Sequence, residues 1–172
     1  SGLDEGGDRS RVCQLLNLPP ERWRHEAYKF YAAVSPHWAA EKEQQWINPD
    51  NLKLPIVSGS LVVEASGGLM VPLNRQSLQI DQIKQWGLPV VIVARSGLGT
   101  INHTLLTIEA LRLRNIAILG IVLNGEFHSD NPKTIEQFSD IPVIAQLPFL
   151  KHITAKGLAE QWDEQQLSNV FE

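Results

Sequence analysis

The chain has 172 residues, of which 43% are hydrophobic and 20% charged, and its formal net charge is −4. This composition is typical of a globular protein, and we predict a single domain over residues 1–172. The negative charge argues against nucleic acid or an anionic membrane as a partner. No apolar run approaches the roughly 20 residues of a membrane span. Residues 1–8 are polar and glycine-rich, and the lone Cys13 cannot form an internal disulfide, so we expect a cytoplasmic protein.

The first half of the chain contains two predicted helices and one predicted strand. Apolar spacing predicts a short helix over residues 10–18, ended by Pro19. Residues 27–33 are aromatic and ambiguous between strand and loop. A serine followed by proline then marks the start of a helix over residues 35–47. The apolar run at residues 61–63 predicts a strand.

The second half alternates buried strands with helices. Predicted strands cover residues 89–94, 116–123 and 141–147, and predicted helices cover residues 79–86, 100–114 and 133–139. Strands that are apolar on both faces are typical of a parallel sheet covered by helices on each side. The pattern therefore predicts an α/β fold with a doubly wound, mostly parallel sheet. In such folds ligands bind at the carboxyl ends of the strands.

Two glycine-rich segments follow predicted strands. Glu64 precedes a turn containing Gly67 and Gly68, where a carboxylate is suited to hold Mg²⁺ and free N–H groups to approach an anion. A tight turn beside a solvated acid explains the same residues equally well. Residues 96–103 form a glycine loop that enters a helix, a common site for a carboxylate or phosphate. The plainer interpretation is that a side chain of this loop only caps the helix.

Other polar positions have an ordinary explanation as well as a functional one. Asp8 precedes a helix and is by default an N-cap. Asn124 and Gly125 form a turn dipeptide, although the asparagine amide carries the donor and acceptor needed to read a purine edge. His37 and His103 are not assigned a role. The tail at residues 158–171 reads as an amphipathic helix.

Several segments together resemble one family. In chain order they are SG, GGD, SPH, VVEASGGLMVPLN, GLPVVIVARSGLGTINHTLLTIEAL, GIVLN and LPFL, spread over residues 1–150. This series is similar to dethiobiotin synthetase. The resemblance implies a homodimer with a three-layer fold like that of P-loop NTPases. It also implies that ATP, Mg²⁺ and CO₂ are used to close a ureido ring on 7,8-diaminopelargonic acid, through a carbamate that ATP phosphorylates.

The resemblance also implies roles for individual residues. The magnesium-associated carboxylates are Asp8 and Glu64. The expected substrate-binding residues are Ser1, Gly67, Gly68, Leu98, Gly99 and Asn102, the last three reaching into the partner's site. The expected nucleotide-binding residues are Asp8, Glu64, Ala65, Ser66, Gly67, Asn124, Gly125, Pro148, Phe149 and Leu150.

The sequence departs from the family pattern in two respects. It contains no G-x-x-x-x-G-K-[ST] loop, which in the family lies upstream together with the catalytic lysines. We therefore expect that the chain begins after the first strand, loop and helix of the fold, contains none of the catalytic residues, and is inactive alone. In addition, Ala65 replaces the family's usual glycine, and the connection between residues 47 and 61 is short for a complete crossover helix.

Two other functions remain open at this point. One is a partitioning ATPase of the ParA/MinD kind, which shares the sheet but does not explain the LGTINH segment. The other is a non-catalytic relative that retains the substrate or dimer surface and has lost ATP hydrolysis.

Overall fold

A computed structural model describes residues 7–171 of the chain. The chain divides into two compact units, Ser1–Gly87 and Leu88–Glu172. The single-domain interpretation stays a prediction. No helix in the described part of the chain is long and apolar enough to cross a membrane.

The first unit is mostly helix and loop. Its helices are α1 (Gly7–Leu16), α2 (Pro36–Lys42) and α3 (Gln79–Trp86), with short 3₁₀ turns at Pro20–Arg22 and Pro49–Asn51. A small core forms around Ala40, Ile47 and Leu73, against which Tyr28 and Phe30 pack. Residues 27–33 are therefore an irregular segment that contributes aromatic rings to this core, which resolves their ambiguity in favour of a loop.

The predicted helix over residues 35–47 is wrong at its C-terminal end. Helix α2 ends at Lys42, because Gln44 takes a left-handed φ of 53° and the Gln45 N–H donates back to the Ala40 carbonyl at 2.8 Å. The hydroxyl of Ser35 makes no capping hydrogen bond, although Ser35 does occupy the position before the first turn.

The predicted strand at residues 61–63 is also wrong. These residues have no regular secondary structure, and Val62 is 94% exposed. A strand requires a hydrogen-bonded neighbour. Among residues 7–171, the only sheet is formed by the three strands of the second unit. The apolar run at residues 61–63 therefore has no strand to pair with.

The second unit has the predicted parallel sheet with crossover helices. Its elements in chain order are β1 (Val90–Arg95), α4 (Thr100–Arg112), β2 (Ile118–Asn124), α5 (Asn131–Ser139), β3 (Val143–Leu147), α6 (Ala155–Glu164) and α7 (Ser168–Phe171). The strands lie in the order β1-β2-β3, and both pairs are parallel. The α/β fold class and the three strands of residues 89–147 are thereby confirmed.

Both faces of the central strand β2 are covered, whereas Val93 on the edge strand β1 is 68% exposed. Val122 and Ala145 point to one face, where Leu167, between α6 and α7, packs on them. Successive strand residues alternate in direction, so Ile121 and Leu123 point to the opposite face. Both are buried there. Helices α4 and α5 contact the edge strands β1 and β3 and each other. Covered faces explain why β2 reads as a continuous apolar run.

Gly120 lies where β2 and β3 pack closely. A Cβ at this position would lie 2.6 Å from Cγ2 of Ile144 on the neighbouring strand. The β-branched Ile144 side chain has little freedom to move away. The strand therefore requires glycine here for space.

We predict that Gly120→Ala lowers the free energy of unfolding by about 1–3 kcal/mol, because it overpacks the sheet. Urea denaturation measures the change. Gly59→Ala is the control, since a Cβ there meets no atom within 4 Å. Equal stability of Gly120→Ala and the wild type would contradict this description of the sheet.

Candidate nucleotide site at the strand ends

The carboxyl ends of the three strands are joined by backbone hydrogen bonds. The Ser96 N–H, just after β1, donates to the Asn124 carbonyl at 3.1 Å. The Gly125 N–H, just after β2, donates to the Leu147 carbonyl of β3 at 2.9 Å. Parallel pairing continues to the last residue of each strand, with Arg95 opposite Asn124. The polar residues that follow the strands are consequently held at one edge of the sheet.

Asn124 and Phe149 present free side chains at this edge. Asn124 is exposed, and its amide has no hydrogen-bond partner within residues 7–171. The Phe149 ring is 77% exposed, and its Cζ and Cε2 atoms lie 3.6 and 3.7 Å from where a Cβ on Gly125 would be. An exposed aromatic ring against Gly125, the residue that follows an unpaired asparagine amide, is an arrangement that suits a flat heteroaromatic ligand. Pro148 is exposed and Leu150 half-buried on the same segment.

Gly125 is required by conformation as well as by space. Its φ is 136°, and a Cβ would lie 2.6 Å from the Oγ of Ser96. Ser96 is buried, as is Asn131, whose amide donates to the Ser96 carbonyl at 2.8 Å. Neither role was predicted from the sequence. The available signal was an asparagine before a proline at a helix start, a pattern that equally describes an ordinary cap.

The start of α4 is the second predicted binding segment. Gly99 precedes the helix with φ 91°, and no side chain caps it, so the plainer interpretation of this loop as a side-chain cap is wrong. The Thr100 N–H donates to the Gly97 carbonyl at 3.1 Å, so the first-turn N–H groups left available to an anion are those of Ile101 and Asn102. Leu98 is fully exposed, and Asn102 and His103 are exposed on the first turn. Thr100 is instead buried, with its hydroxyl 3.4 Å from that of Thr104.

In the first unit, residues 65–68 form the predicted turn after Glu64. Gly67 has φ 90°, and its N–H donates to the Ala65 carbonyl at 3.1 Å. That N–H is thus used inside the turn rather than offered to an anion. Gly68 has open space around its Cα, and Ser66 is exposed. A positive φ therefore requires glycine at position 67 and not at position 68.

The two predicted magnesium carboxylates both lie in the first unit. Asp8 is in the first turn of α1 rather than before it, so it does not act as the N-cap, and its side chain is exposed. Glu64 is also exposed. The described residues contain no group of three or more His, Cys, Asp or Glu that could enclose a metal ion. Ser1 lies outside the described residues.

The comparisons with known proteins agree on one family. A family model described as "AAA domain" matches residues 1–157. An "ATP-dependent dethiobiotin synthetase BioD" from Rhodopseudomonas palustris (strain BisB18) is 47% identical over 87% of this chain and 72% of its own length. The chain belongs to the dethiobiotin synthetase family. A synthetase of the same description from Brucella anthropi is 39% identical over 99% of this chain and 81% of its own length.

A longer relative shows the same match within a larger protein. The "Biotin biosynthesis bifunctional protein BioCD" from Bordetella avium (strain 197N) is 47% identical over 94% of this chain but only 35% of its own length. The chain therefore spans about a third of that bifunctional relative's length and about three-quarters of the length of the dethiobiotin synthetases.

We predict that Gly125→Ala lowers the free energy of unfolding by about 1–3 kcal/mol, because a side chain is strained at positive φ. The loss should be smaller in a Ser96→Ala background, where the hydroxyl that crowds the new Cβ is gone. Urea denaturation of the four variants of this cycle measures both effects. Gly97→Ala is the control, with open space around it. Identical losses of unfolding free energy in the wild-type and Ser96→Ala backgrounds would show that the Ser96 hydroxyl does not crowd residue 125.

Proposed function

We propose that this chain forms part of an enzyme that uses ATP, Mg²⁺ and CO₂ to convert 7,8-diaminopelargonic acid into dethiobiotin, in the cytoplasm. Membership of the dethiobiotin synthetase family supports this proposal most strongly. It also favours this function over a partitioning ATPase. The structural support is the edge of the sheet where the ends of β1, β2 and β3 meet, because parallel α/β sheets bind ligands there.

In this proposal the adenine of ATP binds at the strand ends of the second unit. The Asn124 amide offers both a donor and an acceptor, which is what the edge of adenine requires. The Phe149 ring, beside Gly125, supplies an apolar surface for the base. Pro148 and Leu150 complete the segment that encloses it. The exposed Asn124 side chain is the observation that carries this assignment.

Asp8 and Glu64 are the proposed magnesium-associated residues. Mg²⁺ typically keeps several waters and is bound through one or two carboxylates together with substrate phosphates. Two exposed carboxylates, without an enclosing cluster in the described part of the chain, fit that mode of binding. The ion would offset the negative charge that gathers when a phosphoryl group is transferred to a carbamate. Ala65, Ser66 and Gly67 lie beside Glu64 on the proposed phosphate side.

The diamine is proposed to bind between two copies of the chain. Its carboxylate would be received by the start of α4 from the partner, where Gly99 leaves the helix without a side-chain cap. The full exposure of Leu98 supports a contact with a second copy, because an apolar side chain at a loop tip gains from burial. Ser1, Gly67 and Gly68 are the proposed contacts of the diamine within one copy.

The direct experiment is an assay of ATP-dependent dethiobiotin formation by the natural protein that contains this chain. We expect product from the diamine, CO₂, ATP and Mg²⁺, and none when any one is omitted. Binding of the diamine without turnover would instead support a non-catalytic relative. The 172 residues alone contain no G-x-x-x-x-G-K-[ST] loop, so we expect them not to form product by themselves.

We predict that Glu64→Gln raises the Mg²⁺ concentration needed for half-maximal activity by roughly 10–100-fold, because the substitution removes a charge that holds the ion or its waters. A Mg²⁺ titration at saturating ATP measures the change. Glu21→Gln, another exposed acid of the first unit, is the matched control and should leave the titration unchanged. Coincident titrations of Glu64→Gln and the wild type would remove Glu64 from the metal site.

We predict that Asn102→Ala raises the KM for the diamine by roughly 10–100-fold, because a hydrogen bond to a carboxylate is lost. The KM for ATP should not change. His103→Ala alters the neighbouring exposed residue of α4 and serves as the control. A rise in the KM for ATP instead of the KM for the diamine would contradict the assignment of Asn102 to the diamine.

A further inference from the structure

The turn at Asn124 and Gly125 is held from behind by a residue with no assigned role. The Asn131 side chain, at the first position of α5, donates from Nδ2 to the Ser96 carbonyl at 2.8 Å. Both residues are buried, with relative exposures of 9% and 5%. A buried donor that lost this acceptor would be left unpaired, so the interaction strongly restricts where Ser96 lies relative to α5.

Ser96 in turn contacts both residues of the turn. Its N–H donates to the Asn124 carbonyl at 3.1 Å. Its Oγ lies 2.6 Å from the position that a Cβ on Gly125 would occupy, so the hydroxyl rests directly against the Gly125 backbone. Any displacement of Ser96 therefore moves the backbone that carries the Asn124 side chain. Asn131 is thus linked to Asn124 through a single residue, Ser96.

A second contact fixes Asn131 itself. The Nδ1 atom of His128 accepts from the backbone N–H of Asn131 at 3.1 Å and from that of Asp130 at 3.3 Å. Asp130 is the residue before α5, and its own side chain makes no capping hydrogen bond to the helix. His128 therefore takes the place of the usual cap and closes the loop between Gly125 and Asn131.

We propose that Asn131 is a positioning residue for base recognition: through Ser96 it sets the orientation of the turn whose asparagine reads the adenine of ATP. This inference rests on the proposed function, because it takes Asn124 as the base-reading residue. Asn131 would not touch the nucleotide. Its loss would loosen the turn, and the site would lose discrimination between purines in addition to affinity.

The first arm of the test needs no nucleotide. Amide hydrogen exchange is followed by NMR in the natural protein that contains this chain, as the wild type, Asn131→Ala and Thr134→Ala. We expect the amides of Ser96 and Gly125 to exchange at least about 10-fold faster in Asn131→Ala, because local opening is easier. Thr134→Ala is the matched control: it removes a hydrogen bond to Asp130 at the same helix start without touching Ser96. Asn131→Ser replaces Asn131→Ala if the alanine variant does not fold.

The second arm measures the dissociation constants of ATP and GTP for the same variants. We expect the preference for ATP over GTP to fall by roughly 10–100-fold in Asn131→Ala, because misplacement of a recognition group has effects of this size. Thr134→Ala should retain the wild-type ratio. A purely structural role of Asn131 would lower the melting temperature and leave the ratio unchanged.

The two arms separate the inference from the function on which it rests. Unchanged exchange at Ser96 and Gly125 in a folded Asn131 variant would overturn the positioning role, as would an unchanged ATP:GTP ratio. Failure of the wild type to bind ATP would reject the proposed nucleotide site and the recognition role with it. In that case the exchange data alone would still show whether Asn131 holds the turn.

Discussion

The hydrogen bonds between the ends of parallel strands are the constraint on which the candidate site depends. Ser96 is bound to Asn124, and Gly125 to Leu147, so three loops that are far apart in the sequence leave the sheet at one edge. Each of these bonds joins backbone groups. This leaves Asn124 and Phe149 free to meet a ligand, while the sheet fixes the backbone from which they project.

Much of the second unit could be predicted from its sequence, because its central strand β2 is covered on both faces. Burial on both sides selects long apolar runs such as residues 116–123, and these stand out against the helices between them. The left-handed glycines Gly99 and Gly125 were likewise visible as turn residues. The contacts of Asn131 and Ser96 were not, because a hydrogen bond between residues 35 positions apart leaves no local pattern.

The first unit was harder to predict for a physical reason. Its strand prediction depended on three apolar residues, and a strand exists only where a neighbour accepts and donates its backbone hydrogen bonds. Residues 61–63 have no such neighbour in the described part of the chain. The predicted range of helix α2 was too long, because composition does not reveal where a residue such as Gln44 takes a left-handed conformation. The roles of Asp8 and Glu64 accordingly depend on family membership more than on observed geometry.

In the proposed function, the edge of the sheet at the carboxyl ends of β1, β2 and β3 binds the base of ATP. A crystal structure of the natural protein with a non-hydrolysable ATP analogue tests it most directly. We predict hydrogen bonds between the adenine edge and the Asn124 amide, with the Phe149 ring in contact with the base. An analogue bound with its adenine away from Asn124 and Phe149 would contradict it.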